Sequence, residues 1–212
     1  GDHRDLHSFP TRRSSDLISR LKAIRNLPVV WFSDEFADSF HSIYLDPLEA
    51  GRMAGDYLSS KGHRRIAVIH ESDYTGKLRF KGFSDLMREK GLEPEKLLLD
   101  LPDTIPLQLA VKKVIDEACT ALWVTGEDLK LVEANWLLQE LAGKRVPEDI
   151  SIMGFENPGI SEFQCFFFIN IAMFLREMAE KAVEIVLQDK LTELVKIQMH
   201  VTLIERSSVS QI

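Results

Sequence analysis

The sequence has little that would mark a disulfide-bonded, metal-binding or DNA-binding protein. Its two cysteines, Cys119 and Cys165, have neither CxxC nor Cys/His spacing, so neither a disulfide framework nor a zinc site is predicted. No apolar run approaches the roughly 18 to 20 residues that a membrane helix needs. Lys and Arg number 26 against 33 Asp and Glu, a net charge of -7, so the chain lacks the basic surface that binds DNA phosphates. These absences predict a soluble, cytoplasmic, globular protein without direct contact to DNA or membrane.

Motifs of the common enzyme classes are also missing. The sequence contains no GxSxG, P-loop or GxGxxG motif, and its glycines fall mainly at predicted helix ends. Its six histidines are scattered singly, without the spacing of metal ligands. We therefore expect no catalytic residues, no metal and no cofactor.

The first seventeen residues differ from the rest of the chain. They include three Arg, three Asp and three Ser, and they show no helical or strand periodicity. Their order matches the translation, in one frame, of a widely used sequencing adapter. We therefore expect residues 1–17 to be adapter-derived, non-native and without persistent contacts to the core.

The remaining chain alternates short β-branched runs with helical patterns, which favours βαβ units and a mainly parallel sheet. Strands are predicted over residues 27–32, 42–45, 65–70, 97–100, 120–124, 150–154 and 200–204. Helices are predicted over residues 47–60, 78–90, 106–118, 128–142 and 174–188. The pair Asp46 and Pro47 is typical of a helix cap and a first helical residue. The predicted fold class is α/β.

Three groups of segments, in this order and spacing, resemble the effector-binding core of the lactose-repressor/galactose-repressor family of bacterial transcription regulators. They are GHRRIAVI with RFKGF (residues 62–69 and 79–83), TALWV with GKRVPEDISIMGFEN (120–124 and 143–157), and LIERSS (203–208). The resemblance implies a periplasmic-binding-protein-like fold. In it, two parallel-sheet subdomains with flanking helices close over a small effector.

The resemblance also implies that the first subdomain is incomplete. Family members begin with a helix-turn-helix headpiece, and residues 18–26 show no counterpart of the βαβα that opens the first subdomain. We expect the partial first subdomain to comprise residues 18–61 and 166–190, and the second to comprise residues 62–165 and 191–208. DNA would then be bound only through the missing headpiece.

The function implied by the resemblance is small-molecule sensing, with a carbohydrate as the expected effector, together with dimerisation as a homodimer. A periplasmic-type solute-binding protein shares the architecture and is the alternative. A flavodoxin-like enzyme is a third possibility, disfavoured by the lack of a catalytic constellation.

Candidate effector-binding residues follow from positions that match the family pattern. Arg79 stands where the family places an arginine that reaches the effector, and its planar fork can bond sugar hydroxyls or a carboxylate. The alternative is an ordinary exposed helix arginine. Thr75 falls on a loop position that supplies a hydroxyl in some relatives. Asp73 lies in the same loop, where it would either bind hydroxyls or cap a helix.

Three further candidates come from the later motifs. Trp123 ends the TALWV run and would either stack on an effector ring or pack in the core. Glu156 replaces the aspartate usual in the family's GFD motif. Where the family reads Asn-Asp, this chain reads Thr-Gly-Glu-Asp; either acidic residue could line the cleft, and Asp128 is taken as the candidate.

Overall fold

A computed structural model describes residues 11–24, 28–33, 38–126, 128–156, 168–172, 175–188 and 193–212. The helices are α1 (Thr11–Ala23), α2 (Pro47–Ser60), α3 (Tyr74–Glu89), α4 (Pro94–Leu97), α5 (Leu107–Asp116), α6 (Asp128–Glu140) and α7 (Leu175–Val186). The strands are β1 (Val30–Trp31), β2 (His41–Leu45), β3 (Ile66–His70), β4 (Leu98–Pro102), β5 (Ala121–Val124), β6 (Ser151–Glu156), β7 (Ile169–Ala172), β8 (Lys196–Met199) and β9 (Thr202–Ile204).

The larger sheet among the described residues has six strands in the order β4-β3-β5-β6-β7-β9. The first five strands are mutually parallel, and β9 runs antiparallel to β7. All residues of β3 and β5 are buried, as expected for nearly continuous apolar runs in a parallel sheet covered on both faces. The predicted α/β class with a mainly parallel sheet is confirmed.

Helices cover both faces of this sheet. The apolar cluster on one face includes Val111 of α5 and Leu137 of α6. The cluster on the other face includes Leu58 of α2 and Phe83 of α3. The helices that follow β3 and β5 therefore lie on opposite faces of the sheet.

The chain divides into two compact units, Gly1–Tyr44 with Ala179–Ile197 and Leu45–Met178 with Gln198–Ile212. In the first unit, β1 pairs in parallel with β2 in a sheet of order β1-β2-β8, and Trp31 stacks on Phe40 with ring centroids 5.9 Å apart. These boundaries differ from the predicted ones, because α2 packs tightly on α3 and β7 pairs with β6. Helix α2 and strand β7, which are predicted in the first subdomain, therefore belong to the second unit.

The N-terminal residues correct one expectation. Residues 11–17, for which no regular structure is predicted, lie in α1. Within this helix Ile18 is buried. Arg20 and Lys22 occupy the last turn, where basic side chains interact favourably with the helix dipole. The other residues of the proposed adapter segment, 1–10, lie outside the described residues.

Other differences are local. The short elements α4, β7 and β8 have no counterpart in the predicted pattern, because stretches of four residues carry little periodicity. Helix α3 begins at Tyr74, four residues before its predicted start. Asp73 explains this earlier start, since its side chain caps the helix by accepting the Gly76 N–H at 2.7 Å.

Candidate functional site

The strand order places a candidate site at the carboxyl ends of β3 and β5. Chain connections leave β3 and β5 for opposite faces of the sheet, so the two strands form a topological switch point. In open parallel sheets, ligands bind in the crevice outside the carboxyl ends of the strands at such a point. The residues that follow these two strands are therefore the first to consider.

Arg79 reaches this edge from the second turn of α3. Its Nη1 donates to the carbonyl oxygen of Thr125, directly after β5, at 3.0 Å, and to Glu71 Oε2, directly after β3, at 3.4 Å. Its Cζ lies 3.8 Å from the centroid of the Phe155 ring on β6, a cation–π contact. One side chain thus links the ends of three adjacent strands.

Burial shapes the electrostatics of Arg79. Only 12% of its side chain is exposed, and this burial lowers the pKa of the guanidinium, while the charges of Glu71 and Asp73 act in the opposite direction. Its Nε is buried and has no hydrogen-bond partner in the part of the chain that the structure describes. A buried donor without a partner is costly, so an acceptor that reached this atom would lower the free energy of the site.

Glu71 and Thr125 complete the cluster, and neither is among the predicted candidates. The Thr125 hydroxyl donates to Glu71 Oε2 at 2.7 Å, and Thr125 is fully buried. Each residue directly follows a buried strand, and carboxyl ends of parallel strands meet at one edge of the sheet. That position is the sequence signal that could have identified them.

Asp73 and Thr75 lie at the start of helix α3. Asp73 acts as the N-cap of α3, which is the alternative to effector binding considered for it. Thr75 lies in the first turn of α3 and not in a loop, so the loop expected around it is wrong. The reason is the same for both residues, because the cap starts the helix earlier than periodicity alone indicates.

Trp123 does not present a ring to a ligand in this structure. It is fully buried, and its ring stacks on Phe83 with centroids 5.4 Å apart. The side chain points from β5 into the core cluster on the α2 and α3 face, so the core-packing alternative describes it and the stacking role does not. Its Nε1 has no hydrogen-bond partner among the residues described.

The last two candidates are placed by their backbones alone. Glu156 ends β6, where it pairs with Ala172 of β7, and Asp128 begins α6 after β5. Glu156 therefore lies at the carboxyl end of β6, and Asp128 follows the carboxyl end of β5. The side chains of Glu156 and Asp128 lie outside the described part of the structure.

A second polar group lies beside the ends of β3 and β4. His70 Nε2 lies 2.8 Å from Asp100 Oδ1, its Nδ1 lies 2.8 Å from the Glu71 carbonyl oxygen, and its ring stacks on Phe80. This group extends the polar edge from β5 across β3 to β4.

Asp103, in the turn after β4, joins the same edge. It accepts from the Ser72 hydroxyl at 2.8 Å, and Lys130 Nζ lies 3.6 Å from its other carboxylate oxygen. Burial acts to raise the pKa of Asp103, but the bonds from Ser72 and the charge of Lys130 outweigh it and lower the pKa. Within the described residues, no three His, Cys, Asp or Glu side chains are grouped so as to hold a metal ion.

The fold and this polar edge define a ligand-binding domain, and the chain belongs to the periplasmic binding protein-like domain family, whose model matches residues 55–209. More particularly, the chain is similar to curated HTH-type transcriptional repressors PurR. The repressor of Salmonella arizonae is 29% identical in an alignment of 213 positions that covers 92% of this chain and 60% of that protein. The repressor of Pectobacterium carotovorum is 29% identical with the same coverage. The chain therefore spans less than two thirds of the length of these relatives.

Solved structures share the fold. A LacI family regulator from Enterococcus faecium with bound ribose has a TM-score of 0.77 and 21% identity, covering 96% of this chain and 76% of that one. A periplasmic binding protein/LacI regulator from Alkaliphilus metalliredigens with D-xylulofuranose has a TM-score of 0.76 and 23% identity, covering 93% and 82%. The regulator CelR with cellobiose has a TM-score of 0.70 and 21% identity, covering 94% and 71%.

These findings confirm the predicted resemblance to the effector-binding core of lactose-repressor/galactose-repressor regulators and the predicted periplasmic-binding-protein-like fold. No described helix is both long and apolar enough to cross a membrane.

Proposed function

We propose that this chain is the effector-sensing part of a bacterial transcription regulator, and that a carbohydrate binds at the polar edge formed by Arg79, Glu71 and Thr125. The observation that carries the proposal is Arg79, which is held at the topological switch point with a buried Nε that lacks a partner among the described residues. The sugars bound by structurally similar regulators support the choice of ligand class.

The mechanism we propose is a shift between conformations. A ligand shifts a conformational equilibrium only by the difference between its affinities for the two states. Bonds from a sugar to Arg79 would supply that difference by giving its Nε an acceptor. The response would reach DNA through a headpiece in the whole protein, which would work in the cytoplasm as a homodimer and would not be an enzyme.

Calorimetry of sugar binding tests the proposal. D-ribose, D-xylulose and cellobiose are titrated into the chain, and Arg79→Ala should weaken the binding of whichever sugar binds by about tenfold or more, as expected for lost hydrogen bonds to a charged group. Arg52→Ala is the matched control, because Arg52 forms an exposed ion pair with Glu89 at 2.6 Å. Unchanged affinity in a folded Arg79→Ala variant would contradict the assignment of the site.

The regulatory part of the proposal needs the complete protein of the gene. Its affinity for DNA should change when the bound sugar is added, whereas a periplasmic-type solute-binding protein would show no DNA binding. A gel-shift titration with and without sugar separates these two functions.

A further inference from the structure

The charge and hydrogen bonding around Arg79 restrict which ligands this edge accepts. Glu71 Oε2 lies 3.4 Å from Arg79 Nη1 and accepts from the Thr125 hydroxyl at 2.7 Å. Its side chain is 25% exposed, so it is held in place by two neighbours while part of it still faces solvent. A ligand group that bonds Arg79 therefore also comes close to the Glu71 carboxylate.

The position of Glu71 is fixed by a close approach to the loop after β5. A Cβ at Gly126 would lie 3.1 Å from Glu71 Oε1 and 3.3 Å from Lys130 Cδ. The carboxylate thus lies against the backbone of Gly126, with Thr125 and Arg79 at its other oxygen. The bonds from Arg79 and Thr125 and the closeness of Gly126 therefore hold the Glu71 carboxylate at this edge.

The charges of the described groups next to Arg79 do not favour an anion. Glu71 neutralises the guanidinium, and Asp73 adds a further carboxylate whose charge acts on Arg79. These three side chains together carry a net charge of -1, since one is cationic and two are anionic. Lys130, beside Gly126, is paired with Asp103 at 3.6 Å, and this pair adds no net charge. An anionic ligand bonded to Arg79 would therefore meet a net negative charge.

The chemistry of the pair favours hydroxyl groups. A hydroxyl is both a donor and an acceptor, so it can accept from Arg79 and donate to Glu71, whereas a carboxylate or a phosphate only accepts. We infer that Glu71 is a specificity-determining residue that selects neutral, hydroxyl-bearing ligands and rejects phosphorylated or carboxylate sugars. This inference rests on the proposed function, because it concerns the ligand of the same edge.

Paired titrations test the inference. Calorimetry compares D-ribose with D-ribose 5-phosphate, and cellobiose with its aldonic acid, cellobionate. The unaltered chain should bind the neutral member of a pair at least about tenfold more tightly. The repulsion between like charges a few ångströms apart near a protein surface is large enough to cause a tenfold loss of affinity. Glu71→Gln keeps an acceptor oxygen for Thr125 but removes the charge, and it should reduce this preference at least fivefold.

Two further variants control the comparison. Glu71→Asp retains the charge and should retain a preference for the neutral member. Glu117→Gln removes an exposed carboxylate paired with Arg65 at 2.6 Å, outside the candidate site, and should leave the preference unchanged. Thermal unfolding of each variant verifies that it is folded, and the preference of the unaltered chain tests the inference even if Glu71→Gln is not.

The outcomes separate the inference from the proposed function. Equal or tighter binding of the anionic member by the unaltered chain would overturn the inference and leave the sugar-sensing function standing. An unchanged preference in folded Glu71→Gln would likewise overturn the role of Glu71 alone. Failure of every neutral and anionic probe to bind would refute the proposed function and the inference with it.

Discussion

The contact between α2 and α3 positions Arg79, and it depends on a glycine. An added Cβ at Gly51 would lie 2.0 Å from the carbonyl oxygen of Arg79 and 2.8 Å from the backbone nitrogen of Phe83. Both neighbours are backbone atoms, so no side-chain rotation can relieve the contact. To restore an ordinary contact of 3.4 Å, the two helices would have to separate by about 1.4 Å.

We predict that Gly51→Ala is destabilising by about 2 kcal/mol. Overpacking a close contact costs about 1 to 3 kcal/mol, and the upper end applies where only backbone atoms can move. Alanine in a helix interior recovers about 1 kcal/mol relative to glycine. For a chain of this size, a net loss of about 2 kcal/mol lowers the melting temperature by about 4 to 8 °C.

Gly55→Ala is the matched control on the same helix. Its added Cβ would meet Leu86 Cδ2 at 3.1 Å, and this atom is the end of a flexible side chain. The gain in helix propensity should then offset most of the cost, leaving the free energy of unfolding within about 1 kcal/mol of the unaltered chain.

Thermal and urea unfolding of the two variants provide the measurement. Gly51→Ala should also weaken sugar binding, because it displaces the backbone of Arg79, whereas Gly55→Ala should not. Equal melting temperatures for Gly51→Ala and Gly55→Ala would refute the reasoning.

Three further predictions concern single side chains. Asp73→Ala should cost about 1 kcal/mol of stability, because the α3 cap is lost, and it should leave the affinity for a neutral sugar within about threefold. Asp73→Asn should restore the stability. Loss of sugar binding with unchanged urea unfolding would contradict the capping role. Burial lowers the pKa of His63 below 6.5, so the unfolded chain binds a proton more readily than the folded one. The free energy of unfolding should therefore fall as the pH drops below 6.5, and it should fall less steeply in His63→Gln. Burial raises the pKa of Cys119 to about 11, so iodoacetamide at pH 8, followed by mass spectrometry, should modify Cys119 about a hundredfold more slowly in the folded chain than in urea; equal rates would contradict its burial.

The parts of the fold that sequence predicts are those in which local signals and burial agree. Helix α2 begins where the Asp46 and Pro47 signals place it, and Asp46 Oδ1 accepts the Leu48 N–H at 2.8 Å. The strands β3 and β5 are short, mostly apolar runs in a sheet that helices cover on both faces. In each case the local sequence signals and the burial indicate the same element.

The parts that differ depend on contacts between distant segments. β7 is a strand because it lies between β6 and β9, which its four residues do not reveal. The same limit applies to the candidate site. Arg79 follows from the family pattern, but the bond from Thr125 to Glu71 joins residues 54 positions apart. Trp123 shows the converse, because a residue type suited to ligand stacking is fully buried by α3.

The central claim is that the effector binds where β3 and β5 end, with Arg79 as its main polar contact. A crystal structure of the chain with whichever neutral sugar binds in calorimetry tests this claim most directly. We expect a sugar oxygen within about 3.2 Å of Arg79 Nε or of another nitrogen of its guanidinium group, with a second hydroxyl next to Glu71. A sugar bound elsewhere on the chain, with Arg79 Nε still without a partner, would contradict the claim.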